Sequence, residues 1–198
     1  AALVQAFEVV RPAATVANAQ ECVIRGYPVV IGTTGLAAAQ QGEIEHAARK
    51  IAIVQSSSFS PVVNVLWALA RLAARALGDR ADVEIVEAHH AGKQDAPSGT
   101  ALTTAREIAA ARGGDPVLVH GRQGHAPRKP GEIGMHAVRG GDIAGEHTVL
   151  FALPGERLEL VHRAHGREAY ARGALQAARF AAAAKPGLHR MAEVLGLP

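Results

Sequence analysis

The sequence predicts an α/β protein extended by an α+β part: a partial Rossmann-like parallel lobe, then a second, mixed-sheet domain. Three observations predict it. Short apolar runs alternate with Ala-rich helical stretches over the first third of the chain, the order of a parallel sheet with crossover helices. Two strands in the third quarter alternate apolar and polar residues across a Pro-Gly turn, the mark of a hairpin. The balance of 48% hydrophobic and 20% charged residues is that of an ordinary globular protein, which excludes disorder and fibre.

Taken in order, Pro12 to Arg25 is Ala-rich and helix-prone, and Tyr27 to Ile31 is a short apolar strand ending in Gly32-Thr33-Thr34-Gly35. Leu36 to Lys50 reads as a second helix and Ile51 to Val54 as a second buried strand, which runs into the polar loop Gln55 to Ser60. Both loops leave the carboxyl ends of adjacent strands, where open α/β sheets bind ligands. After Pro61 a helix spans Val62 to Leu77 and stops at Gly78. Val83 to His90 is a strand, Ser98 to Arg112 a helix with a serine cap and a Gly113-Gly114 stop, and Glu132 to Arg139 another strand. Glu146 to Leu153 alternates His147, Val149, Phe151 and Leu153 on one face; beyond Pro154-Gly155, Arg157 to Arg163 alternates Leu158, Leu160 and His162. A final Ala-rich helix over Arg167 to Ala184 is broken by Lys185-Pro186-Gly187 before a short tail.

Composition narrows the function classes. No apolar run reaches the ~18 residues of a spanning helix, and no secretory leader opens the chain, so the expectation is a cytoplasmic protein with no membrane role. Cys22 is the only cysteine, which excludes an internal disulfide or a thiolate metal cluster. The net charge of +3 comes from scattered Lys and Arg, and aromatics make up only 4%, so nucleic acid is not the expected partner. The same basic bias suits anionic small molecules.

The densest chemistry lies in Glu87-Ala88-His89-His90-Ala91-Gly92-Lys93-Gln94-Asp95-Ala96-Pro97-Ser98-Gly99-Thr100. Unpaired backbone amides at the helix start, with the helix dipole behind them, could hold a carboxylate at Gly99 and Thr100. A histidine and a lysine four residues on could carry protons. Plainer readings stand beside these: a His-His pair in a loop is commonly surface decoration, and Ser98 suffices as a helix cap. A zinc site lacks a completing Cys or His-x-x-x-His pair, and no Gly-x-Ser-x-Gly elbow surrounds Ser98. No metal is therefore expected.

The stretch EAHHAGKQDAPSGTAL, Glu87 to Leu102, closely resembles the signature of the dihydrodipicolinate reductase family of diaminopimelate and lysine biosynthesis. VVIGTTG at Val29 to Gly35, Phe59-Ser60, RGGDIAGEHTVLFALPGERLEL from Arg139 to Leu160, and the tail motifs at Lys185 to Leu188 and Val194 to Leu197 follow in family order. The resemblance implies NAD(P)H-dependent reduction of a cyclic dicarboxylate, 4-hydroxy-tetrahydrodipicolinate. It implies His89 and Lys93 as proton carriers, His90, Gly99 and Thr100 as substrate-binding residues, and Gly32, Thr33, Thr34 and Phe59 beside an NADPH or NADH cofactor. It further implies a homotetramer joined through the strands at 132–139, 146–153 and 157–163, with Val149, Phe151, Leu158 and Leu160 as the contact face. The plainer alternative for those four residues is a core beneath helix 99–112. The domains expected are 1–60 with 170–198 for the dinucleotide and 61–169 for substrate and oligomer.

The chain departs from the family pattern at its start, where the family's Gly-x-x-Gly-x-Met-Gly turn has no counterpart. Glu8-Val9-Val10 and Ser56-Ser57-Ser58 replace an Asp-Phe-Thr and an Ala-Pro-Asn. The expectation is thus a reductase represented by an N-terminally incomplete chain, with little NAD(P)H turnover by itself. A redox-inactive substrate-binding or oligomerisation module, and an oxidoreductase for another amino or imino acid, are the alternatives.

Overall fold

The structure is a computed structural model that describes residues 7–8 and 12–197. Of the altered motif at 8–10, Val9 and Val10 lie outside the described residues. The chain forms two compact units, one of residues 1–64 with 168–198 and the other of 65–167.

The first unit is built on a parallel sheet in the order β1 (Phe7–Glu8), β2 (Val29–Ile31), β3 (Ala52–Gln55), β9 (Gly187–His189). Side chains alternate across a strand. Val29 and Ile31 therefore join Ile53 beneath α1 (Pro12–Arg25) and α2 (Ala38–Ala48), while Val30 and Val54 meet α5 (Glu168–Ala183) on the other side. Helix α5 presents Ala174, Ala177, Ala178 and Ala181 at helical spacing, and this small stripe lets it lie close to the sheet. Gly173 opens the stripe where α5 touches the β3–α3 loop: a Cβ there would sit 1.7 Å from the Phe59 carbonyl oxygen, so no other residue fits.

Strand β9 and the short α6 (Met191–Val194) occupy what the sequence presents as a tail. Three residues carry no readable period. They become a strand because β3 still has an unpaired edge, and Ala52, Ile53 and Val54 pair in register with Gly187, Leu188 and His189.

The second unit is a five-stranded mixed sheet in the order β5 (Val117–His120), β6 (Glu132–Arg139), β4 (Asp82–His89), β7 (Glu146–Leu153), β8 (Glu156–Arg163). Strands β5, β6 and β4 run parallel, and β7 and β8 return antiparallel. The hairpin expected from the sequence is β7–β8; the edge strand β5 is not a buried apolar run and was not readable from pattern. One face packs on the second-unit part of α3 (Pro61–Leu77) and on α4 (Gly99–Ala111), joining Leu66, Ala70 and Ala74 to Ala105, Ile108, Val83, Ile85, Ile133, Val149 and Phe151. Trp67 Nε1 donates to Thr104 Oγ1 across the two helices at 2.9 Å, so the one polar atom of the indole is satisfied inside the core.

This layer corrects one expectation. Val149 and Phe151, assigned to the oligomer contact, are fully buried in the chain's own core, and Leu160 packs against that core; Leu158 alone of the four is exposed. The hairpin's alternation points these residues toward the helices because that is where apolar cover exists. The sheet's opposite face holds Val86, Val138, Leu150 and Val161, of which Val138 and Val161 are exposed. Glu84 lies on it over Gly134, where a Cβ would meet its carboxylate at 1.6 Å. Glu84 accepts from Arg128 and, at 2.7 Å, pairs with His136. No helix among the described residues is long and apolar enough to cross a membrane.

Candidate active site

Strand β4 ends at His89, one residue sooner than its sequence suggests, so His89 is the last strand residue and His90 opens the loop. Two residues back along the same face stands Glu87, whose side chain has no exposed surface. A buried carboxylate is costly unless paired, and Glu87 is paired on both oxygens. Arg139 donates to Oε2 at 2.8 Å and to Oε1 at 2.7 Å, the Ser98 amide donates to Oε1 at 3.1 Å, and His89 Nδ1 lies 2.6 Å from Oε2. Burial pushes the Glu87 carboxyl up, but the hydrogen bonds from Arg139, His89 and the Ser98 amide together hold it below its ordinary value. His89 is moved down by burial, with the hydrogen bond and charge of Glu87 acting in the opposite sense.

Ser98 is the N-cap of α4: its Oγ accepts from the Ala101 amide at 3.2 Å, as the plain reading has it. The same oxygen lies 3.2 Å from Nε2 of the buried His147, whose Nδ1 lies 3.4 Å from Nδ1 of His162. His89, His147 and His162 thus form a row, with ring centroids 5.3 Å and 5.6 Å apart. Burial, with the neighbouring charges of His89 and His162, pushes His147 down to about 3, and burial lowers His162 as well. Among the described residues no group of three or more His, Cys, Asp or Glu side chains has the arrangement of a metal site.

The remaining residues expected at a substrate gather around the same loop. Gly99 and Thr100 form the first turn of α4, where backbone amides have no partner within the helix. Lys93 is held by Asp95, with Nζ 2.7 Å from Oδ1, and Arg139 reaches the Asp95 carbonyl at 2.8 Å. His90 Nε2 lies 3.3 Å from Nη2 of Arg167, so an exposed guanidinium stands beside an imidazole at the edge of the site. The arrangement offers proton carriers, cationic groups and a helix start on one side of one sheet.

The four residues expected beside a cofactor belong to the first unit. Gly32, Thr33 and Thr34 follow β2, and the loop turns through Gly35 at a φ of +75°, which glycine alone adopts freely. Thr33 is buried and its hydroxyl bonds Thr15 Oγ1 at 2.7 Å, while Thr34 is exposed. Phe59 packs against the cluster of Val30, Val54 and α5. The serines around it serve the backbone: Ser58 O and Ser60 O both accept from Asn64 Nδ2, and Ser60 Oγ caps α3 by accepting from the Val63 amide at 3.3 Å.

Three residues of the site were not singled out from sequence. Glu87 shares a face with His89 by strand period and could have been found that way. Arg139 is brought opposite His89 only by the parallel register of β4 and β6, and Arg167 only by the chain's return after β8.

Comparison with known proteins gives the same family at every level. The profile described as dihydrodipicolinate reductase, C-terminus, matches residues 62–195, and that described as dihydrodipicolinate reductase, N-terminus, matches 6–59. A 4-hydroxy-tetrahydrodipicolinate reductase of Rubrobacter xylanophilus is 54% identical over 86% of this chain and 66% of its own length. One from Thiobacillus denitrificans is 48% identical over 94% and 71%. The chain therefore spans about two thirds of the length of the curated relatives it matches. Among solved structures, a dipicolinate-bound dihydrodipicolinate reductase from Paenisporosarcina sp. TG-14 superposes with a TM-score of 0.73 at 27% identity, over 93% of this chain and 71% of that one.

Proposed function

This chain belongs to the dihydrodipicolinate reductase family, and from that premise we propose that it catalyses the NAD(P)H-dependent reduction of 4-hydroxy-tetrahydrodipicolinate to tetrahydrodipicolinate. The observation that carries the reading is the His89 imidazole, braced at Nδ1 by a buried carboxylate, beside Lys93 and the first turn of α4. One ring carboxylate would be received by the Gly99 and Thr100 amides and the other by His90 and Arg167, cationic groups suited to an anion. Once the 4-hydroxyl has left as water and hydride has reached C4 of the unsaturated ring, His89 and Lys93 would supply the proton that the neighbouring ring carbon then takes up.

The first unit would hold the nicotinamide cofactor and the second the substrate. Gly32, Thr33, Thr34 and Phe59 fit the cofactor role in that both their loops leave the carboxyl ends of adjacent parallel strands, β2 and β3. A bound nicotinamide cofactor supplies hydride to C4. Whether NADH or NADPH serves is set by the residues that read the ribose. A cytoplasmic setting agrees with a biosynthetic role.

Binding can be measured apart from turnover. Burial favours neutral His89 in the free chain, and a bound dianion favours its protonated form. Pyridine-2,6-dicarboxylate should therefore bind with proton uptake, its affinity rising as pH falls from 8 toward 6 by up to about tenfold per unit. Calorimetry in buffers of different ionisation enthalpy reads both quantities, and His90→Ala and Arg167→Ala should each weaken binding. No heat of binding from the unaltered chain would refute the substrate assignment.

The homotetramer is proposed through the open face of the second sheet, the side carrying Val86, Val138, Leu150 and Val161, in place of the buried residues first assigned to it. Light scattering should give four times the chain mass at micromolar concentration, and Val161→Glu should lower it. A stable monomer would remove this proposal.

A further inference from the structure

The function proposed above gives Arg139 no role and takes Glu87 only as the carboxylate that braces His89, without saying what the bracing does. Their geometry is over-determined for a mere ion pair. The parallel register sets Arg139 directly opposite His89, so its guanidinium reaches back along β4 and meets Glu87 with both terminal nitrogens. With the Ser98 amide added, three donors besides His89 converge on one carboxylate. An acid proton on either oxygen would collide with one of them, so the carboxylate is ionised and can only accept.

We infer that Glu87, clamped by Arg139, is the positioning residue that keeps the hydrogen of His89 on Nδ1 and so leaves Nε2 as the atom that exchanges a proton with the substrate. The 2.6 Å contact is then a donation from Nδ1–H to Oε2. Because Arg139 neutralises Glu87, the pair orients the ring more than it charges it. Arg139 also donates to the Asp95 carbonyl, so the clamp that orients His89 tethers the loop carrying Lys93. Both proton carriers are thereby positioned from one guanidinium.

This inference rests on the reductase reading for its consequence but not for its test. In Glu87→Gln the single amide oxygen goes to Arg139 and Ser98, and the NH₂ turns to His89 Nδ1, which must then accept. Imidazole ¹⁵N spectra of the full chain should show His89 protonated at Nδ1 near neutral pH and at Nε2 in Glu87→Gln. In the chain joined to the family's glycine-rich turn, turnover should fall on the order of 10²-fold, as for a catalytic imidazole in the wrong tautomer, with the KM for substrate within a few-fold and the pH profile of kcat displaced. Arg139→Lys keeps the charge without the fork; it should retain the Nδ1 proton and lose about tenfold in kcat. If Glu87→Gln does not fold, the parent spectrum and Arg139→Lys decide. His89 protonated at Nε2 in the parent, an unchanged tautomer in Glu87→Gln, or full kcat in Arg139→Lys would overturn the inference. The expected tautomer in the parent, with no turnover even when the chain is joined to the family's glycine-rich turn, would refute the reaction and not the positioning.

Discussion

His89→Gln, in this chain joined to the family's glycine-rich turn, is expected to lower kcat by ~10²–10⁴-fold, the usual worth of a positioned proton carrier, while altering cofactor affinity far less. Its position on the last residue of β4, with Glu87 beneath it, gives the imidazole little freedom, so the substitution removes proton transfer and little else. Lys93→Ala should differ in kind. Lys93 lies beyond Ala91-Gly92 in an exposed loop and is engaged with Asp95 at 2.7 Å. To serve a dianionic ring it must leave that carboxylate, and a substrate carboxylate supplies the incentive. Its loss should therefore raise KM as well as lower kcat. Steady-state kinetics following NAD(P)H absorbance separate the two, and full activity in both variants would end the proton-transfer assignment.

The second large effect is on stability in acid. His147 is fully buried, faces His89, His162 and the Ser98 hydroxyl, and has its pKa pushed down to about 3 from an ordinary 6.5. The unfolded chain then binds a proton that the folded chain refuses, throughout the window between those values. Stability is unaffected above about pH 6.5 and falls below it, by about 1.4 kcal/mol per pH unit for this histidine alone. His162 and His89 are also lowered and act in the same direction. Burial is the main cause of the His147 shift, and the charges of His89 and His162, the latter with its Nδ1 3.4 Å from His147 Nδ1, add to it. Nearer pH 4 the Glu87 pair adds to the loss, because a carboxyl lowered in the fold contributes stability above its unfolded value and surrenders it as pH falls through the folded one. Urea unfolding at pH 7, 6 and 5 should show a midpoint dropping steadily below pH 6.5. His147→Gln, though less stable at pH 7, should show a shallower decline; an equal slope would place the acid sensitivity elsewhere.

Much of this protein is legible along the chain. The helices at 12–25, 61–77, 99–111 and 168–183 and the strands at 82–89, 132–139 and 146–153 stand within a residue or two of where periodicity and capping put them. Each buries one face, and a face is a local pattern of spacing. The same locality made the segment from His89 to Thr100 readable, because strand end, imidazole and ammonium side chains and helix start are contiguous. Strands β5 and β9 were not readable: unlike the equally short β2 and β3 they are not buried apolar runs, and each is defined by the sheet edge it completes.

What the sequence determined by itself, then, is which segments become helix or strand and which short stretch gathers the titratable side chains, since both follow from neighbours along the chain. The tertiary structure decided which face of the hairpin is core and which carbonyls and carboxylates are satisfied by distant donors. Val149 and Phe151 look the same in sequence whether a helix of the same chain or another subunit covers them, and only the packing of α3 and α4 resolves it. Arg139 is 52 residues from Glu87 and meets it through strand register alone. A buried carboxylate must find its counter-charge wherever the sheet places one, and that partner is set by pairing between strands, for which no spacing along the chain is a guide.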